Sequence, residues 1–395
     1  MDIEFVGAAR EVTGSCHILR AAGRTVLLDC GLYQGRRRDA DEKNRTLPCP
    51  VADIDAVVLS HAHLDHSGRL PFLTSRGYQN PIHATRGTAD LTAIMLADSA
   101  HIQESDFEFL SRHGRAVEAP LYVLRDAARV EPLMQGHGYG DWFEVCPDIR
   151  ARFTDAGHIL GSASIVIECV EGLETKRVIF SGDIGRAGLP IIRDPDPPSD
   201  AADQVILEST YGNRDHDSVA GARDSLARVV RAASARGGRI LIPAFAVGRT
   251  QEIIYDLHVL TLAGAIPPIP IIIDSPLATA ATQVFERNSD LFDTTERPVR
   301  EMTKLFRFDG LSYTVSTQES KALNTRVGPI IVIAGSGMLE GGRILHHLLQ
   351  GASDPRNTIL IVGFQAEHTL GRRVVERQAR FEYSARRFRC APRWR

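Results

Sequence analysis

Six consecutive residues, His61-Ala62-His63-Leu64-Asp65-His66, contain four side chains able to bind a metal. Neutral imidazole and carboxylate are donors that zinc accepts, at about 2.0–2.2 Å. In an extended chain successive side chains alternate sides, so His61, His63 and Asp65 can point one way. Ser67-Gly68 then opens a helical stretch, which puts His66 near a helix N-terminus. Surface histidines in a polar loop are the competing reading. Four ligand types in six residues, at a strand-to-helix corner, argue against it. Two further ligand types follow at strand ends, His158 in Thr154-Asp155-Ala156-Gly157-His158 and Asp183 in Phe180-Ser181-Gly182-Asp183. Taken singly they read as a structural histidine and a turn aspartate; after the first cluster they read as ligands. The expected arrangement is one zinc on His61, His63 and His158, a second on Asp65 and His66, and Asp183 bridging them. Two metals about 3.5–4 Å apart lower the pKa of a shared water and clamp both oxygens of an in-line displacement at phosphorus. Asp29, ending Leu27-Leu28-Asp29, is expected to orient a ligand histidine, with a simple turn cap as the alternative.

The elements that must position these residues follow from the apolar pattern. Runs at 3–7, 17–20 and 25–29 predict successive strands joined by tight turns. Ala56-Val57-Val58-Leu59-Ser60 is a compact apolar run, as in a strand buried on both faces, and delivers His61 at its end. A helix is predicted over 87–112, with Leu91, Ile94, Met95, Ile102 and Phe109 near helical spacing. Strands resume at 149–155, 163–170 and 177–183. The Pro/Asp cluster Asp194-Pro195-Asp196-Pro197-Pro198-Ser199-Asp200 reads as a linker. Beyond it strands at 204–208, 239–244, 270–274, 329–334 and 358–364 alternate with helices at 218–236, 249–262, 278–292 and 343–350. That alternation predicts parallel βαβ units and a second, Rossmann-like domain. The expected organisation is a first domain over 1–203, a second over 204–380, and an unstructured basic tail over 381–395.

Composition excludes more than it selects. The 395 residues are 43% apolar and 24% charged, ample for more than one core. Lys plus Arg, 46, nearly balances Asp plus Glu, 49, so net charge gives no whole-chain signal for nucleic acid. The six cysteines show no C-x-x-C pair, which reads as free thiols in a reducing compartment. The start, Met1-Asp2-Ile3-Glu4, has acids where a signal peptide has bases, and no run approaches the roughly 20 apolar residues of a bilayer span. A cytoplasmic protein with no membrane segment is expected.

These residues reach a recognisable pattern. The sequence resembles the metallo-β-lactamase superfamily, and within it the β-CASP group of RNA-processing nucleases. The likeness rests on Val12-Thr13-Gly14-Ser15, Leu28-Asp29-Cys30-Gly31, the 61–66 cluster, Asp155-Ala156-Gly157-His158-Ile159-Leu160-Gly161-Ser162 and Ser181-Gly182-Asp183-Ile184-Gly185. Glu208-Ser209-Thr210-Tyr211-Gly212 looks like the acidic motif that opens the β-CASP insertion. Further segments match at Pro243-Ala244-Phe245-Ala246-Val247-Gly248-Arg249-Thr250-Gln251-Glu252, Asp274-Ser275-Pro276-Leu277-Ala278 and Gly335-Ser336-Gly337-Met338-Leu339-Glu340-Gly341-Gly342. The resemblance implies an αββα sandwich with a Rossmann-like β-CASP domain that covers the zinc site and leaves a cleft for single-stranded RNA. The implied activity is zinc-dependent hydrolysis of RNA phosphodiester bonds, with two Zn2+ ions, Asp65 orienting the attacking water and Glu208 as a second catalytic residue. Ser336 and Gly337 are the expected substrate contacts, since glycines permit close backbone approach and a helix N-terminus favours an anion such as phosphate. Arg249 adds a charged fork for phosphate. Turns between βαβ units are the alternative for each. A homodimer is the assembly considered.

Two motifs of the group are missing from this sequence, a Ser-Ala-His-Ala-Asp type segment and a Val-His-Gly type segment. In the family the first supplies a histidine that pairs with the Glu208 motif, and the second supplies the last zinc ligand. The likeness fades after 363–373, and 384–395 holds five arginines without periodicity. The expectation is a chain that has left the ancestral reading frame and lacks the usual return to the first domain, with a weakened second zinc site. Loss of a general acid costs about 10²–10⁴ in rate. Of the remaining histidines, His346 and His347 read as structural or phosphate-neighbouring, and His368 as a polar-loop residue. A thioester or small-phosphodiester hydrolase, and an RNA-binding scaffold with a crippled site, are the competing functions.

Overall fold

The computed structural model describes residues 1–35, 37–114, 118–213, 219–294, 304–365, 369–376, 380–383 and 386–389. The chain divides into two units, Met1–Ala187 with Ile192–Arg214, and Gly188–Ile191 with Asp215–Arg395.

In the first unit one sheet runs in chain order: β1 (Asp2–Phe5), β2 (His17–Ala21), β3 (Arg24–Leu28), β4 (Ala56–Val58), β5 (Ile82–Thr85) and β6 (Met134–His137). β1 to β3 are antiparallel and β3 to β6 parallel. Parallel neighbours need crossovers. These are supplied by α1 (Arg37–Arg45), then α2 (Leu64–Ser67) and α3 (Leu70–Ser75), then α4 (Arg86–Arg112) and α5 (Leu124–Ala127). The second sheet has the order β11-β10-β9-β8-β7, from β7 (Trp142–Cys146), β8 (Ile149–Asp155), β9 (Ala163–Glu171), β10 (Glu174–Phe180) and β11 (Gln204–Ile206).

Alternation along the strands builds two cores. Leu19, Val26, Leu28 and Val58 face Phe153, Ile165, Ile167 and Phe180 of the second sheet. Their neighbours Ile18, Leu27 and Val57 turn the other way, onto Leu70, Leu73, Leu96 and Tyr122 of the helical layer. Such a strand, apolar in every position, is buried on both faces. Strands β5, β6 and β7 were not predicted from the pattern; Met134-Gln135-Gly136-His137 is too short and polar to declare itself.

The domain boundary expected at 203/204 needs correction. β11 pairs in parallel with β10, Ile179 opposite Val205, and so completes the first unit. The Pro/Asp cluster does not end that unit. Arg152 pairs with Asp200 and Arg177 donates to the Ala201 carbonyl, which holds this segment against the sheet.

His83 on β5 gives a pH expectation. It is 2% exposed, its Nε2 donates to the Val145 carbonyl (3.2 Å), and its Nδ1 lies 3.0 Å from His137 Nε2. Burial, with His137 beside it, pushes its pKa down to about 4. A depressed pKa stabilises the fold at pH values above the unfolded value of about 6.5, and the gain is lost as pH falls towards 4. The melting temperature should therefore drop less between pH 7 and pH 5 in His83→Gln than in the wild type. Equal drops would show that His83 is not a source of acid sensitivity.

The second unit is a parallel sheet, order β14-β13-β15-β12-β16, from β12 (Ile240–Pro243), β13 (Ile271–Ile273), β14 (Leu311–Tyr313), β15 (Ile331–Ala334) and β16 (Thr358–Ile359). Around it lie α6 (Val219–Ala235), α7 (Arg249–Leu262), α8 (Pro276–Arg287), α9 (Thr317–Ala322), α10 (Arg343–Gly351) and α11 (Leu370–Val375). From β12 the chain moves to β13 and β14 on one side, returns through β15, and ends at β16 on the other. The loops after the neighbours β12 and β15 therefore leave in opposite directions, the place where such sheets bind ligands.

The tail also departs from expectation. Arg380–Tyr383 (β17) and Arg386–Arg389 (β18) pair as an antiparallel hairpin, Phe381 opposite Phe388, where an unstructured segment was predicted. In Arg380-Phe381-Glu382-Tyr383 charged and aromatic residues alternate with a period of two, which suits a strand. Residues 384–385 and 390–395, and His368, lie outside the described residues.

Candidate metal centre

The C-terminal ends of three strands meet at one place in the first unit. β4 runs through Leu59 and Ser60 into His61, and His63 occupies the N-cap position of α2, which carries His66. β8 leads through Gly157 to His158, whose backbone N–H donates to Ser162 Oγ (3.0 Å). β10 leads through Ser181 and Gly182 to Asp183. Gly182 has φ +56°, and a Cβ there would stand 2.7 Å from Ser60 Cβ, so only glycine lets the β10 strand end approach Ser60 this closely.

Donor atoms of His61, His63, His158 and Asp183 all lie within 4.8 Å of one another. His63 Nδ1 is 3.1 Å from His61 Nε2 and 3.2 Å from His158 Nε2. Asp183 Oδ2 is 3.8 Å from His61 Nε2 and 3.5 Å from His158 Nε2, while its Oδ1 is 3.2 Å from His66 Nε2. One carboxylate thus turns one oxygen to each of the two expected ligand sets. Asp65 lies outside the four-residue cluster, within electrostatic reach of His66 and Asp183.

Behind the cluster, Asp29 is fully buried at φ +61°. Its Oδ2 accepts from His66 Nδ1 (2.7 Å), Ser15 Oγ (2.9 Å) and Ser60 Oγ (3.0 Å), and its Oδ1 accepts from the Ser60 N–H (2.8 Å). Ser60 Oγ spends its proton on Asp29, so His61 Nδ1, 3.1 Å away, is the donor in that pair and His61 Nε2 presents a lone pair to the cluster. Ser60 went unnoticed in the sequence, although it directly precedes the first ligand type. In Asp29→Asn, where asparagine tolerates the left-handed φ, metal affinity is expected to fall about 10–100-fold. Competition against a chromophoric chelator measures this; unchanged affinity would leave Asp29 a backbone role only.

Charge at the site sorts the histidines. Burial, reinforced by its neighbours, holds His61 well below the usual imidazole range and brings His63 down to about 3. Both are then neutral, the state in which imidazole binds a metal. Burial opposes charge on His66, but the carboxylates of Asp183 and Asp29 outweigh it and hold His66 well above the usual range. Burial likewise opposes charge on Asp183, and His66, with His61 and His158, holds its carboxyl well below the usual range. Converging imidazole lone pairs around one carboxylate, with too few protons to pair them, fit a cation of zinc type.

The other expected site residues are placed as follows. The Glu208 N–H donates to Ser181 Oγ (3.0 Å), two residues before Asp183, and its Oε2 accepts from the Thr210 N–H (2.7 Å). In the second unit Arg249 is ion-paired with Glu252 (2.6 Å). The Ser336 N–H donates to the Gly341 carbonyl, and its Oγ accepts from the Glu340 N–H, both at 3.3 Å. Ser336 thus closes its own loop with the groups expected to contact phosphate. His346 is exposed, and His347 is buried on Asp274 (2.6 Å).

Comparison with known proteins agrees with this architecture. Residues 9–232 match the metallo-beta-lactamase superfamily and residues 250–374 the Beta-Casp domain. A ribonuclease of Thermus thermophilus is 39% identical over 378 residues, 95% of this chain and 82% of that protein. An RNase J-like protein of Methanocaldococcus jannaschii is 30% identical, over 95% of this chain and 80% of the relative. The transcription termination factor FttA of a Lokiarchaeum species is 31% identical over 96% of this chain, which spans 58% of that factor's length. With the superfamily match covering more than half of its length, the chain belongs to the metallo-β-lactamase superfamily and, within it, to the β-CASP group.

Proposed function

We propose that this chain is a metal-dependent hydrolase that cleaves phosphodiester bonds of single-stranded RNA, with zinc as its metal. The observation that carries this reading is Asp183, with one oxygen towards His61 and His158 and the other towards His66. That geometry supports two ions, one with His61, His63 and His158, the other with Asp65 and His66, sharing Asp183. When bound, such ions lower the pKa of a water and neutralise charge at phosphorus. The chain's own residues do the rest. Ser60 and Asp29 fix the rings of His61 and His66, Asp65 orients the attacking water, and Glu208, its N–H bound to Ser181 Oγ, is the second catalytic residue. RNA as the substrate is supported by the relatives' descriptions as a ribonuclease and an RNase J-like protein.

No helix among the described residues is long and apolar enough to cross a membrane. Cys16, Cys30, Cys49, Cys146 and Cys169 are free thiols, which suits action in the reducing cytoplasm. The test is cleavage of a labelled single-stranded RNA by the full chain with zinc, with and without a chelator. Metal-dependent cleavage is expected. Turnover of a thioester but not of RNA would favour another hydrolase of the superfamily, and RNA binding with neither activity would favour a scaffold.

A further inference from the structure

One aromatic ring at the C-terminal edge of the parallel sheet is left out of the core. Phe245, just after β12, is 40% exposed, whereas Phe285, Phe292 and Phe306 of the same unit are at most 1% exposed. Its backbone is held firmly, since the N–H and Oγ1 of Thr250 both donate to its carbonyl (3.3 and 2.7 Å). The ring lies on the loop that follows β15. A Cβ on Gly337 would stand 2.9 Å from the ring and 3.0 Å from the Phe245 N, so glycine is what admits the ring there. Buried Gln365 fastens a third segment to this floor, its Nε2 donating to the carbonyls of Gly337 (2.9 Å), Phe364 (2.8 Å) and Gly363 (3.2 Å). Phe245 and Gly337 therefore line the crevice between β12 and β15, whose loops leave in opposite directions.

We propose that Phe245 stacks on a nucleobase of single-stranded RNA, with the Gly337 loop as the floor beneath it. The proposal rests on the RNA-cleaving reading above. A firmly held, half-exposed ring suits stacking, which is tolerant of sequence because every base has a π-face. Stacking at this position selects unpaired strands, since a base in a duplex already has its neighbours.

The test measures binding of the full zinc-loaded chain to a fluorescent, cleavage-resistant phosphorothioate RNA by anisotropy. Wild type, Phe245→Leu and Phe245→Trp are compared on a single-stranded RNA and on the same RNA with abasic sites, with melting temperature as the check on folding. Phe245→Leu should lose roughly 5- to 100-fold in affinity and Phe245→Trp should keep it. The wild type should discriminate against abasic RNA by a similar factor, a difference that Phe245→Leu should lack. Full affinity in folded Phe245→Leu, or wild-type indifference to abasic sites, overturns the stacking and leaves RNA cleavage standing. A wild type that binds neither RNA overturns both.

Discussion

Replacing His63 with alanine is expected to lower metal-dependent RNA cleavage on the order of 10³-fold, the effect of losing several kcal/mol of metal-borne charge stabilisation. His63 is the central donor of its group, 3.1 Å from His61 Nε2 and 3.2 Å from His158 Nε2. Among the described residues, removing it breaks the only imidazole–imidazole contact at hydrogen-bond distance between the β4 and β8 ends. The side chain is only half buried, so the fold should survive its loss. Initial rates at saturating zinc, read together with bound metal per chain, check this. Cleavage close to the wild-type rate would remove His63 from the site.

The second large effect is structural. Asp274 is fully buried at the end of β13 and accepts from Thr314 Oγ1 (2.5 Å), Ser320 Oγ (2.6 Å), His347 Nε2 (2.6 Å) and Arg343 (2.7 Å). These donors come from the end of β14, from α9 and from α10, so one carboxylate ties the glycine-rich loop's helix to the sheet. Asp274→Ala leaves a guanidinium and a buried imidazole without their acceptor, and should cost about 3–5 kcal/mol. Denaturant unfolding followed by a probe in the second unit measures it; an unmoved midpoint would contradict the tie. Burial opposes the charge, but His347, Ser320, Thr314 and Arg343 hold the Asp274 carboxyl well below its usual range. The group's contribution is therefore complete above the unfolded carboxyl's pKa of about 3.9 and lost only in stronger acid. Acid sensitivity nearer neutrality belongs to groups such as His83.

What was legible in the sequence was local. The 61–66 cluster announces itself because strand period, ligand type and helix start coincide within six residues. His158 and Asp183 are legible because each closes an apolar strand. Asp29's partners are not, because Ser60 is 31 residues away and the left-handed backbone at Asp29 leaves no mark on composition. The donors to Asp274 lie 40 to 73 residues off, beyond the reach of any spacing rule. The boundary at 203 failed for a related reason. A Pro/Asp-rich stretch lying along a sheet and one linking two domains have the same composition, and only the pairing of β11 with β10 separates them. Ser336 shows the limit in another form: a hydroxyl beside glycines suggests phosphate, while its hydrogen bonds close its own turn.

The central claim is a pair of metal sites sharing Asp183 and driving RNA cleavage. The most direct measurement is a zinc titration of the metal-free chain in which bound zinc per chain and single-stranded RNA cleavage are followed together. Two zinc ions per chain are expected, with cleavage that rises only as they bind and Asp183→Ala failing on both counts. Undiminished RNA cleavage by chain shown to hold no metal would contradict it.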